Sequence, residues 1–239
     1  MPIFYLSGSI QFPPPRLAEK GGLIAVGGDL GIERLLSAYE NGIFPWYSEG
    51  DPILWWSPDP RLVLYPKNLR VSKSLFKILK KGVFTITLDQ SFEQVIHACA
   101  ENRAGEGKGT WIVKDMIKAY CRLHRAGYAH SVEAWYDGNL AGGLYGVALG
   151  RCFFGESMFT RVSNASKAAL AALVEDLDRQ GFHLIDCQMT TPHLLRLGAE
   201  EIPRARFLKE LEKAMAEKLP PGSWHRQPVS NQSKEIFRS

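Results

Sequence analysis

Two short stretches put polar side chains where their neighbours call for a buried strand. HLIDCQ, residues 183–188, is apolar enough to lie in a sheet, yet it carries Asp186 and Gln188. Strand alternation points those two the same way and turns Ile185 and Cys187 to the other face. In RCFFGESMF, residues 151–159, Glu156 sits among apolar neighbours. Ideal alternation there groups Phe154, Glu156 and Met158 on one face and Phe153, Ser157 and Phe159 on the other. A carboxylate so placed costs desolvation unless it is paired, so each is either a buried hydrogen-bond anchor or part of a polar site in an apolar pocket. Three such residues on strands that could be neighbours favour the site, and Glu156, Asp186 and Gln188 are the candidate catalytic residues.

No nucleophile accompanies them. GESMF lacks the G-x-S-x-G spacing of an exposed serine elbow, and Cys187 is expected to face away from Asp186. The four cysteines contain no CxxC pair and the six histidines do not gather with them, so neither a metal, a disulfide framework nor a cofactor is expected. The Gly-rich LIAVGGDL lacks the spacing and lysine of a phosphate loop and reads as turns. What remains for a carboxylate and an amide is to position reactants.

The elements that must hold these residues are legible from periodicity and punctuation. Residues 1–61 are rich in Gly, Pro and aromatics. They hold one short helix in GGDLGIERLLSAYENG, with Asp29 as N-cap and Gly42 past its end, and SEGDPILWWSPDPR is too Pro-rich for regular structure. From residue 62 onward LVLYP, FTITLD and the run AHSVEAWYDGNLAGGLYGVALGRCFFGESMF read as strands, with turns at Asp137-Gly138 and Gly150-Arg151. SKSLFKILKKG, SFEQVIHACAENR, KGTWIVKDMIKAYCRLHRAG and Asn164 to Arg179 read as helices. A meander followed by a helix and a further strand gives an α+β fold with a mixed sheet. Residues 226–239 are expected to be a loose polar tail.

Two further clusters bear on a partner. KNLRVSKSLFKILKK carries Lys67, Arg70, Lys73, Lys77, Lys80 and Lys81 and no acid. The lysines recur at helical spacing opposite Leu75 and Leu79, a one-signed stripe that fits contact with a phosphate backbone better than an ordinary solvated face. Phe44, Trp46, Tyr47, Trp55 and Trp56 crowd one Pro-rich loop, and Trp111 and Tyr120 flank a later helix. They could equally cement a small core or stack on a base. The charge of +4 is too mild to diagnose a polyanion partner alone. No apolar run reaches the roughly 18–20 residues of a membrane span, and MPIFYLSGSIQFPPPRL lacks a signal peptide's order, so a reducing cytoplasm is expected. Nothing demands an oligomer, and a monomer is expected.

In order along the chain, GLIAVGGDL, YENGIFPWYSEGDPILWWSPDPR, GTWIVKDMIKAY, AHSVEAWYDGNLAGGLYGVALG, CFFGESMFTRVSNASKAAL, LIDCQ and LGAEEIPR resemble the blocks of the leucyl/phenylalanyl-tRNA–protein transferase family. The resemblance runs from about Gly22 to Trp224, and WWSPDPR and CFFGESMF-x4-NASK are long and specific. It implies a bacterial cytoplasmic enzyme that moves Leu or Phe, and less readily Met, from aminoacyl-tRNA to the α-amine of proteins beginning with Arg or Lys, marking them for degradation. It also implies a small N-terminal domain (1–61) and a GNAT-like aminoacyl-transfer domain (62–225) without a metal. The usual GNAT coenzyme A loop has no counterpart here.

Carried over by motif, Trp46, Trp111 and Tyr120 resemble residues around the terminal adenosine, and Leu144, Phe153, Met158 and Ile185 the pocket for the amino-acid side chain. Leu144 stands where the family's block leads us to expect Met. Arg70, Lys73, Lys77, Lys80 and Lys81 correspond to a tRNA-binding patch. In the reaction that this resemblance implies, Gln188's carbonyl oxygen accepts from the attacking amine, and Asp186 orients that amide or the amine. Glu156 holds the donor's α-amino group or the acceptor's basic side chain. Alternation puts Phe153 opposite Glu156 and Ile185 opposite Asp186, so a shared pocket requires an irregular strand or must wrap an edge. The competing readings are a GNAT-like acyltransferase with a small thioester donor and a non-catalytic tRNA-binding module.

Overall fold

The computed structural model describes residues 3–105 and 112–222. Its first part holds β1 (Phe4–Leu6), β2 (Leu23–Gly27), α1 (Ile32–Glu40), β3 (Phe44–Pro45) and β4 (Leu54–Trp56). The four strands form a sheet ordered β1-β2-β4-β3, in which only β1 and β2 run parallel. Three expectations are corrected here. LIAVG is a strand rather than turns, with Ile24 and Ala25 buried and the Trp55 indole N–H donating to Gly27 O at 2.9 Å. The Pro-rich stretch still forms β4, because Pro52 and Pro58 flank the strand and remove no donor from it. The N-cap of α1 is Gly31, not Asp29; the Asp29 carboxylate accepts instead from Gly31 N–H at 2.7 Å and Arg34 Nε–H at 3.0 Å. Gly42 takes φ 68° past the end of the helix, as its position led us to expect.

The second part runs β5 (Arg61–Leu64), α2 (Lys73–Lys81), β6 (Thr85–Leu88), α3 (Phe92–Gly105), α4 (Lys114–Arg125), β7 (Ala129–Tyr136), β8 (Asn139–Leu149), β9 (Cys152–Thr160), α5 (Ala165–Arg179), β10 (Leu184–Gln188), α6 (Pro192–Arg196), β11 (Glu200–Ile202) and α7 (Arg204–Ala216). Its seven strands are ordered β11-β5-β10-β9-β8-β7-β6. Every neighbouring pair is antiparallel except β9 and β10, which α5 joins as the crossover a parallel pair requires. The β7–β8 hairpin turns at Asp137 (φ 47°) and Gly138 (φ 74°), as its Asp-Gly pair dictates. Ser72 caps α2 by accepting from Leu75 N–H at 3.2 Å, and left-handed Gly82 closes it.

Two cores flank the large sheet. One gathers Tyr39 of α1, Tyr120 of α4, Phe154 of β9 and Phe207 of α7; the other gathers Leu144, Phe153 and Ile185 beneath the alanine-rich face of α5. Each fully buried large apolar side chain contributes about 1.5–3 kcal/mol, so both layers hold the sheet firmly. The fold is thus a mixed α/β architecture with two mixed sheets. Among the described residues no helix is long and apolar enough to cross a membrane.

Candidate active site

The polar residues singled out from sequence meet where β9 and β10 stop pairing. Their ladder runs Leu184–Cys152, Ile185–Phe153, Asp186–Phe154 and then ends. Both strands are irregular just there. On β9, Tyr145 of β8 pairs with Ser157 and Gly146 with Gly155, so Glu156 is an extra residue, a bulge. Gly146 permits this, since a Cβ there would meet Phe154 O at 2.2 Å and the Phe153 ring at 2.5 Å. On β10, Val63 of β5 pairs with Asp186 and Leu62 with Gln188, so Cys187 is passed over; Gln188 adopts φ 61°.

The β9 bulge overturns the expected faces. Phe153 and Met158 lie in one core, Phe154 and Phe159 in the other, because one inserted residue shifts the parity of everything after it. The bulge does not bring Phe153 and Glu156 to one face: Phe153 lies in the core under α5, while Glu156 bonds to Tyr39 and Tyr120 of the other core.

Glu156, 5% exposed, is the hub of a buried cluster. Its Oε1 accepts from the Tyr39 hydroxyl and from Gln188 Nε2, both at 2.8 Å, and its Oε2 accepts from the Tyr120 hydroxyl at 3.0 Å. The two tyrosine hydroxyls also touch each other. Burial pushes the Glu156 carboxyl up to about 7, against the three hydrogen bonds that favour its charged form. Burial, and then the neighbouring Glu156 charge, push both tyrosines well above the ordinary phenol range, so they remain donors. With its Nε2 committed to Glu156, Gln188 keeps its carbonyl Oε1 for an outside donor; it is 7% exposed, and no donor to that oxygen occurs among the described residues.

Asp186 does not do what its neighbourhood to Gln188 led us to expect. Its carboxylate faces neither the Gln188 side-chain amide nor an opening, but takes both arms of Arg61, Nε to Oδ1 at 2.8 Å and an Nη to Oδ2 at 2.6 Å. Both side chains are 0% exposed. The Arg61 guanidinium lies over the Phe44 ring at 4.9 Å and the Phe207 ring at 4.5 Å, and donates to Gly42 O at 3.2 Å. The physical reason is that a carboxylate sealed in an apolar layer must be paired. Asp186 still acts on Gln188, since Oδ1 accepts the Gln188 backbone N–H at 2.9 Å and pins that residue's unusual backbone. Arg61 and Tyr39 are the residues that the sequence reading missed. A lone arginine heading the apolar RLVL strand was the available signal for the first, and a tyrosine on the buried face of α1 for the second.

The apolar residues are brought together, but behind the sheet. Leu144 pairs with Met158 and Phe153 with Ile185, and all four belong to the core under α5. The polar centre and the apolar cluster therefore occupy opposite faces, adjoining at the gap between β9 and β10. Tyr120 joins the centre directly. Trp46, 37% exposed, stacks edge-on with Trp56 at 5.8 Å between ring centroids, and Trp111 lies outside the described residues. Arg70, Lys73, Lys77, Lys80 and Lys81 are all exposed, with Leu75 buried beneath them. Among the described residues no group of His, Cys, Asp and Glu could hold a metal ion.

The arrangement offers an amide oxygen fixed by a carboxylate of near-neutral affinity for protons, across the sheet from an apolar cluster. It can hold a nucleophilic amine. Comparison with known proteins bears on what it serves. The family model described as leucyl/phenylalanyl-tRNA protein transferase matches residues 63–212, and the model of that family's N-terminal domain matches residues 28–59. The chain is similar to the leucyl/phenylalanyl-tRNA–protein transferase of Syntrophobacter fumaroxidans, 59% identical over 94% of this chain and 96% of that one. It is similar to that of Desulfatibacillum aliphaticivorans as well, 61% identical over 94% of this chain and 96% of that one. Its likeness to the solved L-PGS structure from Bacillus licheniformis, with TM-score 0.41 and 8% identity over 71% of this chain and 54% of that one, is too slight to argue from.

Proposed function

Since the chain belongs to the leucyl/phenylalanyl-tRNA–protein transferase family, a family of aminoacyltransferases, we propose that it moves Leu or Phe, and Met less readily, from aminoacyl-tRNA to the α-amine of proteins that begin with Arg or Lys. The product would carry a new N-terminal residue that marks it for degradation. We read residues 1–61 as a small domain and 62–225 as a GNAT-like transfer domain, supported by the separate family matches and by a mixed sheet whose single parallel pair parts at the polar centre. The enzyme acts as a cytoplasmic monomer in this reading.

The observation that carries the mechanism is the Gln188 Nε2 to Glu156 Oε1 bond across the mouth of β9 and β10. It turns the Gln188 carbonyl oxygen outward, where it accepts a hydrogen from the incoming uncharged amine. The amine nitrogen attacks the ester carbonyl; a carbon–nitrogen bond forms, the bond to the ribose oxygen breaks, and the proton leaving nitrogen balances the one that oxygen gains. An amide is too weakly basic to keep that proton, so Gln188 aims the amine rather than deprotonating it, and the proton passes through water or the neighbouring ribose hydroxyl. Holding amine and carbonyl about 3–3.5 Å apart can supply roughly 7–11 kcal/mol of the barrier. Glu156 fixes Gln188, and its Oε2, which among the described residues accepts only from Tyr120, has capacity for one more donor such as the donor's α-amino group. Asp186 is a positioning residue acting through the Gln188 backbone.

Donor choice follows from Leu144, Phe153, Met158 and Ile185, an apolar set that favours unbranched Cβ; one methylene is worth only about 1–3 kcal/mol in such a pocket, so Met should be used too. The test is direct. The protein incubated with labelled Phe-tRNA and a peptide beginning with Arg should label the peptide, and one beginning with Ala should stay unlabelled. Binding of Phe-tRNA with no label in either peptide would overturn the reading.

A further inference from the structure

The elements leaving the carboxyl ends of β9 and β10 build a second feature that the chemistry above does not use. The first turn of α5 carries Lys167, and α6 carries His193 and Arg196. With Arg70 from the segment that enters α2, they ring a cavity of about 290 Å³ whose floor includes Leu75 and Leu197. This is close to the lower end of ligand pockets, roughly 300–1,000 Å³. Pockets beyond the carboxyl ends of adjacent parallel strands are where open α/β sheets bind ligands.

Its charge is one-signed. Among the described residues no carboxylate pairs with Arg70, Lys167 or Arg196; Lys167 Nζ donates only to Asn164 Oδ1, at 3.4 Å. Burial, and then the charges of Lys167 and Arg196, hold the His193 imidazole below its ordinary range, which fits a place short of negative charge. The walls are set rather than loose. Arg70 N–H donates to Leu197 O at 2.8 Å, and Gly198, at φ 100°, packs so closely that a Cβ would meet Asn68 O at 2.1 Å. Thr191 caps α6 by accepting from Leu194 N–H at 3.3 Å.

We propose that this cavity seats one backbone phosphate of the RNA strand that carries the donor ester, so that Arg70, Lys167 and Arg196 fix the strand's end relative to Gln188. The inference rests on the aminoacyl-tRNA donor proposed above. Two arginines and a lysine match the geometry and charge of a phosphodiester. The cavity lining holds no Phe, Tyr or Trp ring on which a base would stack, only the His193 imidazole, and an acceptor that begins with Arg or Lys would be repelled. The position, a few residues past Gln188 along the chain, suits the last nucleotides of the strand rather than its distant stems.

The experiment compares two donors, Phe-tRNA and the phenylalanyl ester of adenosine, which has no phosphate. Lys167→Met and Arg196→Gln should each lower kcat/KM for Phe-tRNA by about tenfold, the order of one lost charge-assisted hydrogen bond. Both should leave the adenosine ester unchanged. The fall of log kcat/KM with log salt should become shallower by about one unit for each variant. Lys209→Met, which removes an exposed charge on α7, should do neither. Equal losses on both donors, or losses on tRNA no greater than those of Lys209→Met, would overturn the phosphate seat. A wild-type protein that transfers from neither donor would overturn the proposed function beneath it, a distinguishable result.

Discussion

Arg61 and Asp186 meet in a two-point ion pair with neither side chain exposed, and the same Asp186 oxygen that takes Arg61 Nε takes the backbone N–H of Gln188. A buried charge left without its partner is costly, by roughly 3–5 kcal/mol, while the intact pair adds little to stability over an apolar substitute. Its service here is to hold Gln188 in a left-handed conformation beside the Glu156 cluster.

Arg61→Ala and Asp186→Ala should therefore each lower the midpoint of denaturant unfolding, and the double variant should lose less than the sum of the two. Their transfer activity should fall together. An Asp186→Ala protein with near-normal single-turnover rates, or with unchanged stability and abolished turnover, would count against a positioning role.

Gln188→Ala should keep the ion pair and fold but lose the aimed oxygen. Single-turnover transfer should drop on the order of 10²-fold, the scale of a misplaced reactant, with little change in KM for Phe-tRNA. A matching rise in KM with unchanged kcat would mean that Gln188 merely binds donor.

Glu156 makes stability depend on pH in a direction that can be checked. Its folded carboxyl titrates near 7 against an ordinary value of 4.5, so the native state holds the proton more tightly than the unfolded chain. The stability this gives is fully present below pH 4.5 and is lost as pH rises to about 7. Glu156→Gln should flatten that part of the curve of unfolding free energy against pH. Tyr39→Phe, which removes a donor to the charged form, should carry the decline to higher pH. Wild-type and Glu156→Gln curves of the same slope over this range would refute the assignment.

Leu144 pairs with Met158 on the face under α5. Leu144→Met conserves volume and should cost less than about 1.5 kcal/mol of stability. It should change the ratio of Phe to Leu transfer by a few fold, measured by competition between the two charged tRNAs. An unchanged ratio would place the side-chain pocket elsewhere.

Much of this was legible before the structure. Gly82, Gly127, Gly138 and Gly181 mark the ends of helices and hairpins because they take positive φ, and Ser72 caps α2, so local chemistry alone located those elements. Glu156, Asp186 and Gln188 stood out because charge and amide are costly in apolar strands. What could not be read was register: alternation assumes an unbroken ladder, and two bulges break it at the residues of interest. Nor could partners from afar be read. Tyr39 reaches Glu156 and Arg61 reaches Asp186 across more than a hundred residues of chain, a proximity created only by assembly of the sheet.

The extra residue in β9 has a consequence for how such a chain can vary. Removing Glu156 would not merely delete a carboxylate; it would realign the ladder and send Met158 and Phe159 to each other's side. Length between Phe154 and Met158 is thus constrained independently of composition, and trimming one position should be tolerated worse than any exchange made there.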